Sequence, residues 1–457
     1  MDKMNKTNPQ NHKSEIPPFS LRRVFKGASI YSLGEVLIKA SGFFLIPIFT
    51  RFLTPADYGI IGYLQVFLQI ATVIISFGFH GAQTRYYYEY SADTEAMGRF
   101  SFTINFVPFA IALFVWIPLT LLGSVNNWTV GTSNIPFSPF MTLTLWTVIL
   151  QVLASNTIAY YRARQQFATT VFLNIAQFSL VTFFSILFIV GYNKGALGRV
   201  AGIFVGMLIY ILISFSIYAR HFVYKPSMEA LKYAATFGAP IVVHLLAGTI
   251  HNAIDRVMLD RYVSLDQLGI YTLAFTIGNV MTVFFSAFNQ AYQPSFFQLM
   301  SSKRKDIEYQ IIRIFKLWLI IITTAASFGI LLGGPFLRIF AGKRFVSSIE
   351  VFPWIILAMY LGGFYFFFSS SIFYFKKTKY LPVITGASAL TNICLNLIFI
   401  PRWGIIGAAV SSVISHVVTS VLSLVISNKL YKIRWPYVWI MISCSIVLLS
   451  LVFVKIL

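Results

Sequence analysis

Four charged side chains stand where charge is expensive. Glu35 and Lys39 lie four residues apart in one apolar run; Asp255 and Arg256 adjoin in another. A charge inside a spanning helix costs roughly 2.5–3.5 kcal/mol or more unless it faces water or a partner. Each is therefore either paired or functional. Glu35 and Lys39 point within about 40° of each other, with Lys39 about 16 Å into its helix. They read as a self-neutralising pair or as a cavity cation with a tuned neighbour; the two readings are compatible. His244, Gly248, His251 and Asp255 follow a 4-3-4 spacing and form one helical stripe. Histidine changes charge near pH 6.5, and histidine–carboxylate chains inside membranes carry protons. The same histidines can instead join packed helices by hydrogen bonds. A metal is the remaining reading, but a structural zinc site usually takes four ligands and the others are not visible. Arg256 projects about 100° away from Asp255, towards a cleft or a lipid phosphate. Arg85, in "TRYYYEY", either snorkels to the interface or lines, with its tyrosines and Glu89, the mouth of a cleft that takes a phosphate and a sugar.

The elements that must position these groups are helices across a bilayer. Of 457 residues 57% are hydrophobic and 11% charged, against roughly 25% charged in soluble proteins; the mean hydropathy is +0.76. Thirteen continuous apolar runs are long enough to span: 28–52, 60–83, 100–123, 138–161, 168–192, 196–219, 233–259, 268–299, 311–337, 350–375, 381–400, 405–428 and 436–456. A β-barrel would show short alternating segments instead. The first run is too long for a cleavable signal peptide and carries Glu35 and Lys39. Cys394 and Cys444 both sit in apolar runs, so no disulfide framework is indicated. No cofactor and no metal are expected.

The formal net charge is +21, which on a soluble chain would suggest nucleic acid. Here the cations alternate with the loops. With the N-terminus inside, 24 of the 35 Lys and Arg residues fall on the inner side and nine on the outer. The positive-inside rule thus predicts a cytoplasmic N-terminus, and the charge reads as topology with some attraction to anionic membrane lipids. Residues 1–20 read as a polar cytoplasmic tail. The longest outer loop, near Ser124–Phe137, is too small for a domain.

The chain also repeats itself. "RFLTPADYGI" at Arg51 is echoed by "RYVSLDQLGI" at Arg261, 210 residues on. "FHGAQTRYY" at Phe79 is echoed by "FNQAYQPSF" at Phe288, and "GALG" at Gly195 by "GIIG" at Gly404. Six runs separate each pair, and an even number preserves orientation. The expected fold is all-α and polytopic, with two parallel six-helix lobes, 21–222 and 223–430, and an extra helix in 431–457 on the outside of the second bundle. Substrate in repeat-built transporters binds between the repeats.

"YSLGEVLIKASGFFLIPIFTRFLTPADYGI", "GAPIVVHLLAGTIHNAIDRVMLDRYVSLDQLGIYTLAF" and "LNLIFIPRWGIIGAAVSSVIS" resemble bacterial polysaccharide-biosynthesis flippases of the O-antigen type. These belong to the multidrug, oligosaccharidyl-lipid and polysaccharide exporter superfamily. The resemblance runs from about Val24 to Leu430. It implies a multi-pass inner-membrane protein that moves undecaprenyl-diphosphate-linked oligosaccharide to the periplasmic leaflet by alternating access. Lys39, Arg85 and Arg256 then suit the diphosphate, while Glu35, His244, His251 and Asp255 suit coupling to H+ or Na+. One rival is a cation-coupled multidrug or small-solute antiporter of the same fold, which would expose fewer cavity cations. A glycan polymerase or ligase would show a large outer loop with catalytic Arg and His; the outer loops here are short and lack histidine.

Overall fold

The structure, a computed structural model, describes residues 45–90, 93–302 and 306–456. Its helices are α1 Ile46–Phe52, α2 Pro55–Ser76, α3 Phe79–Tyr90, α4 Thr94–Val125, α5 Thr142–Ala163, α6 Phe167–Ile186 and α7 Gly195–Tyr218. They continue as α8 Met228–Asp260, α9 Leu265–Gly278, α10 Val280–Ser301, α11 Ile307–Phe340, α12 Ser348–Tyr374, α13 Tyr380–Leu430 and α14 Tyr437–Ile456. A two-residue-per-strand hairpin, β1 Thr129–Val130 with antiparallel β2 Ile135–Pro136, joins α4 to α5.

Among the described residues eleven helical segments are long and apolar enough to cross a membrane. One of them, α13, has 51 residues, about 76 Å at 1.5 Å per residue and far more than one bilayer core of about 30 Å. Gly404, at φ 54° and ψ −130°, breaks it. The chain doubles back there, because the Gly407 backbone packs against the Phe399 carbonyl and Asn392 reaches Ser412. Counting α13 as two arms, the apolar runs from 60–83 onward are each found as a crossing. Of the first run only α1 is covered; Glu35 and Lys39 lie outside the described residues.

Two crossings are broken, which continuous hydropathy did not predict. α2 and α3 are separated by Phe77 and Gly78 in left-handed conformation, at φ 44° and 69°. Gly78 is stacked against Gly238 of α8. α9 and α10 are separated at Asn279. The expected outer loop is the hairpin.

The repeated stretches do the same local work. Thr54 caps α2, its Oγ1 accepting from the Asp57 N–H at 3.1 Å. Ser264 caps α9, its Oγ accepting from the Gln267 N–H at 3.3 Å. Each hydroxyl satisfies an amide that the first turn leaves open. One turn later Gly59 and Gly269 meet backbone to backbone, and Gly62 abuts Thr272. Both contacts join residues 210 apart in sequence. α2 and α9 therefore cross on glycines because any side chain there would strike the opposing main chain.

α5 and α7 pack with α2, and α6 packs on α7; α12 packs with both α11 and α13, and α13 packs with α8. α14 lies on α11 and α12, where the Ser443 hydroxyl meets Thr323 Oγ1 and the Tyr360 hydroxyl, each at 2.5 Å. Large apolar side chains such as Phe114, Leu212 and Phe284 are exposed, as lipid contact requires.

Candidate functional site

The α8 stripe is built against α13. His244 Nδ1 lies 3.3 Å from Thr385 Oγ1, and His251 Nδ1 lies 3.3 Å from Ser388 Oγ. Asp255 is 2% exposed and its carboxylate is held on three sides. Oδ2 accepts from the Tyr271 hydroxyl at 2.6 Å and from Ser412 Oγ at 2.9 Å; Oδ1 accepts from Asn396 Nδ2 at 3.1 Å. Asn396 also donates to Asn392 Oδ1 at 2.9 Å. A buried anion needs this many donors to persist in hydrocarbon. Asn396 Oδ1 remains buried without a partner among the described residues. Carboxylate and amide oxygens are the ligand types that hard cations take.

A second histidine completes the cluster. The His251 and His416 rings are centred 4.7 Å apart. His416 Nδ1 lies 2.8 Å from the Ser412 carbonyl, which can only accept, so Nδ1 carries the proton. Ser388 Oγ lies 2.7 Å from the Ser415 carbonyl and 2.5 Å from Thr419 Oγ1; with its proton on the carbonyl, its oxygen accepts from His251 Nδ1–H. Both neutral rings thus present Nε2 as a lone pair. That of His251 is buried with no partner among the described residues.

The predicted cations do not form one cluster. Arg256 is 6% exposed, with its guanidinium 4.4 Å from the centre of the Phe275 ring. Its Nε has no hydrogen-bond partner, and no carboxylate is within ion-pair range among the described residues. Arg85 sits at the other end of α8. It pairs with Glu89 at 2.7 Å and lies 5.4 Å from the Phe237 ring. Glu89 in turn accepts from the Tyr233 hydroxyl at 2.7 Å. Arg85, Glu229, Lys232, Tyr233, Thr236 and Phe237 line a cavity of about 690 Å³ between α3 and α8. Lys232 and Arg256 are separated by about 36 Å of helix.

Sequence reasoning found the α8 side of the cluster and missed its partners on α13. The signal was present: Thr385, Ser388, Asn392 and Asn396 follow a 3-4-4 spacing in an apolar run, one polar stripe facing another.

Relatives agree with this architecture. Lsg locus putative protein 1 of Haemophilus influenzae is 23% identical over 421 residues, covering 88% of this chain and 99% of its own. A solved lipid II flippase, MurJ, in an inward closed conformation superposes with a TM-score of 0.71 at 15% identity, over 93% of this chain and 97% of that one. An inward-facing multidrug resistance transporter of the same superfamily gives 0.67 at 14% identity, over 87% and 99%. Residues 24–300 match the family described as polysaccharide biosynthesis protein. The chain is a multi-pass membrane protein of that polysaccharide biosynthesis family.

Proposed function

We propose that the protein flips an undecaprenyl-diphosphate-linked oligosaccharide from the cytoplasmic to the periplasmic leaflet by alternating access. The lobes 21–222 and 223–430 rock against each other, with the N-terminus in the cytoplasm of a bacterial inner membrane. The observation that carries this reading is the 690 Å³ cavity. Lys232, and Arg85 on release from Glu89, supply charge for a diphosphate beside the acid Glu229, and arginine grips phosphate through two parallel bonds. Tyr233 and Thr236 supply surfaces for sugar; Phe237, Pro240 and Ile241 form the apolar wall. The cavity is at the end of α8 where its inner-side cations cluster, so a head group would load from the cytoplasm. The polyprenyl tail stays in lipid. Arg256 lies towards the far end of α8, where a cation with no ion pair among the described residues suits a transit contact.

The Asp255 cluster is the proposed coupling site for H+ or Na+. A small-solute antiporter of the same fold would use the same cluster but not the cationic cavity. The test is flipping of a lipid-diphosphate oligosaccharide in proteoliposomes. Arg85→Ala with Lys232→Ala should lower the rate about tenfold, by removing two charge-assisted contacts. An unchanged rate, or dye export by the parent protein without lipid flipping, would transfer the assignment to the antiporter.

A further inference from the structure

The turn of the β1–β2 hairpin belongs to the first half of the chain, and it is tied to the last residue of α8, in the second half. The Thr132 N–H donates to Asp260 Oδ2 at 2.7 Å. The Thr132 hydroxyl lies 2.6 Å from the Asp260 carbonyl oxygen and 2.9 Å from Oδ2, so its single proton goes to one of them at a time. Asp260 is 5% exposed. Gly131, at φ 74°, is required beside it, because a side chain there would collide with the same carboxylate and with Tyr63. The tie sits on the face where the two halves are already closed. Gly59 meets Gly269 there, the Thr50 hydroxyl is 3.2 Å from the Phe340 carbonyl, and Tyr58 packs edge-on to Phe345 at 5.1 Å.

We infer that Thr132 and Asp260 form the latch of the hairpin-side gate, a contact that breaks and re-forms once per transport cycle. Two features suit a contact that opens. Both halves of the bond are short and polar, so water replaces each partner when the gate parts. The carboxylate is also only half satisfied: Oδ1 is buried with no partner among the described residues. A buried anion held by one oxygen recovers part of its desolvation cost on opening. A purely structural tie would be expected to satisfy both oxygens. The tie joins the sequential halves at a residue that is neither in the cationic cavity nor in the Asp255 cluster, so it separates gating from binding and coupling.

The inference rests on alternating access but not on the identity of the cargo, and its first test needs no cargo. In a background with Cys394 and Cys444 replaced by alanine, Thr272→Cys reports the glycine crossing under the latch. Labelling from the hairpin side by a membrane-impermeant maleimide should be slow. Adding Asp260→Ala or Thr132→Val should raise the labelling rate about fivefold or more, by shifting the gate towards open. An unchanged rate in both would overturn the latch. The second test locks it. Thr132→Cys with Asp260→Cys, oxidised to a disulfide, should lose at least about nine-tenths of lipid flipping and regain it on reduction. Full flipping by cross-linked protein would equally overturn the inference. If the parent labels as expected but flips no lipid, the cargo assignment fails and the latch stands.

Discussion

Matching stretches in the two halves of the sequence do the same local backbone work and carry different chemistry. Gly195 and Gly404, 209 residues apart, both stand at positive φ, 53° and 54°, and each opens a helix folded back on its predecessor. The glycines Gly59 and Gly269 touch each other across the molecule. Yet several members of the second half's polar cluster have apolar residues at the corresponding positions of the first, although His251 and Ser388 correspond to Ser41 and Ser179. Leu45 precedes Asp255 by 210 residues, Ile61 precedes Tyr271 by 210, and Ile203 and Met207 precede Ser412 and His416 by 209. Close packing on glycine thus recurs at matching positions of both halves of the sequence. The buried polar cluster around Asp255 occurs in the second half, and a single such cluster would suffice for the coupling role proposed for it.

The comparison breaks most completely at the shared glycines. A side chain at Gly269 would overlap the Pro55 carbonyl, and one at Gly59 the Leu265 carbonyl. Main-chain atoms cannot move aside as a flexible side chain can. Gly269→Val should cost about 3 kcal/mol or more, at the upper end of overpacking, and leave little folded protein in the membrane. Gly59→Val should do the same. Normal abundance of both variants by quantitative blot would show that α2 and α9 cross elsewhere.

Next in size is the asymmetric cluster. Asp255→Leu copies the first-half residue into the second half. It strands the Tyr271, Ser412 and Asn396 donors, each worth about 1–3 kcal/mol when buried and unsatisfied. Asp255→Asn keeps the shape and removes the charge. Ion-driven flipping should fall at least about tenfold in Asp255→Asn, with near-normal abundance, and further in Asp255→Leu. Retained ion dependence in Asp255→Asn would move the coupling site out of this cluster.

How much of this was legible depended on the length scale of each signal. Spans are written in 20-residue runs of apolar side chains, and from 60–83 onward these appear at their expected places. The echoed stretches were legible because capping residues and glycines do fixed local work: Thr54 and Ser264 each close a helix start. The breaks at Phe77 and Asn279 were not legible, since neither position interrupts the hydropathy. Nor were the partners of Asp255. Ser412 and His416 come from a helix that reaches Asp255 only because Gly404 folds the chain. The latch was invisible for the same reason: Thr132 and Asp260 are 128 residues apart, and nothing in either neighbourhood names the other.

A smaller effect is expected from the histidines. Replacing His251 and His416 together by glutamine keeps side chains that can bond Ser388 and the Ser412 carbonyl, but removes both Nε2 lone pairs that could take a proton. Flipping at fixed pH should change by about threefold or less, while the response to an imposed pH gradient should be lost. A full pH response in the double variant would make the pair a structural join and move the coupling to the other residues named for it, Glu35, His244 and Asp255. The first-half Met207 offers the control: Met207→Gln should leave the pH response untouched.

The smallest effect separates two kinds of glycine in the second half. Gly248 lies on the stripe between His244 and His251, inside α8, in ordinary helical conformation. A methyl group there would meet nothing within 4 Å, unlike one at Gly269. Helical glycine costs about 0.5–1 kcal/mol relative to alanine. Gly248→Ala should therefore leave abundance equal or slightly higher, raise the midpoint of thermal unfolding in detergent by about one to two degrees, and keep flipping within about twofold. If it instead abolishes flipping without lowering abundance, the open side of Gly248 is filled by a neighbouring helix in another state of the cycle. Gly248 would then serve α8 as Gly59 and Gly269 serve the closed gate, as the point where one main chain must come close to another, but in the state that the present closed gate excludes.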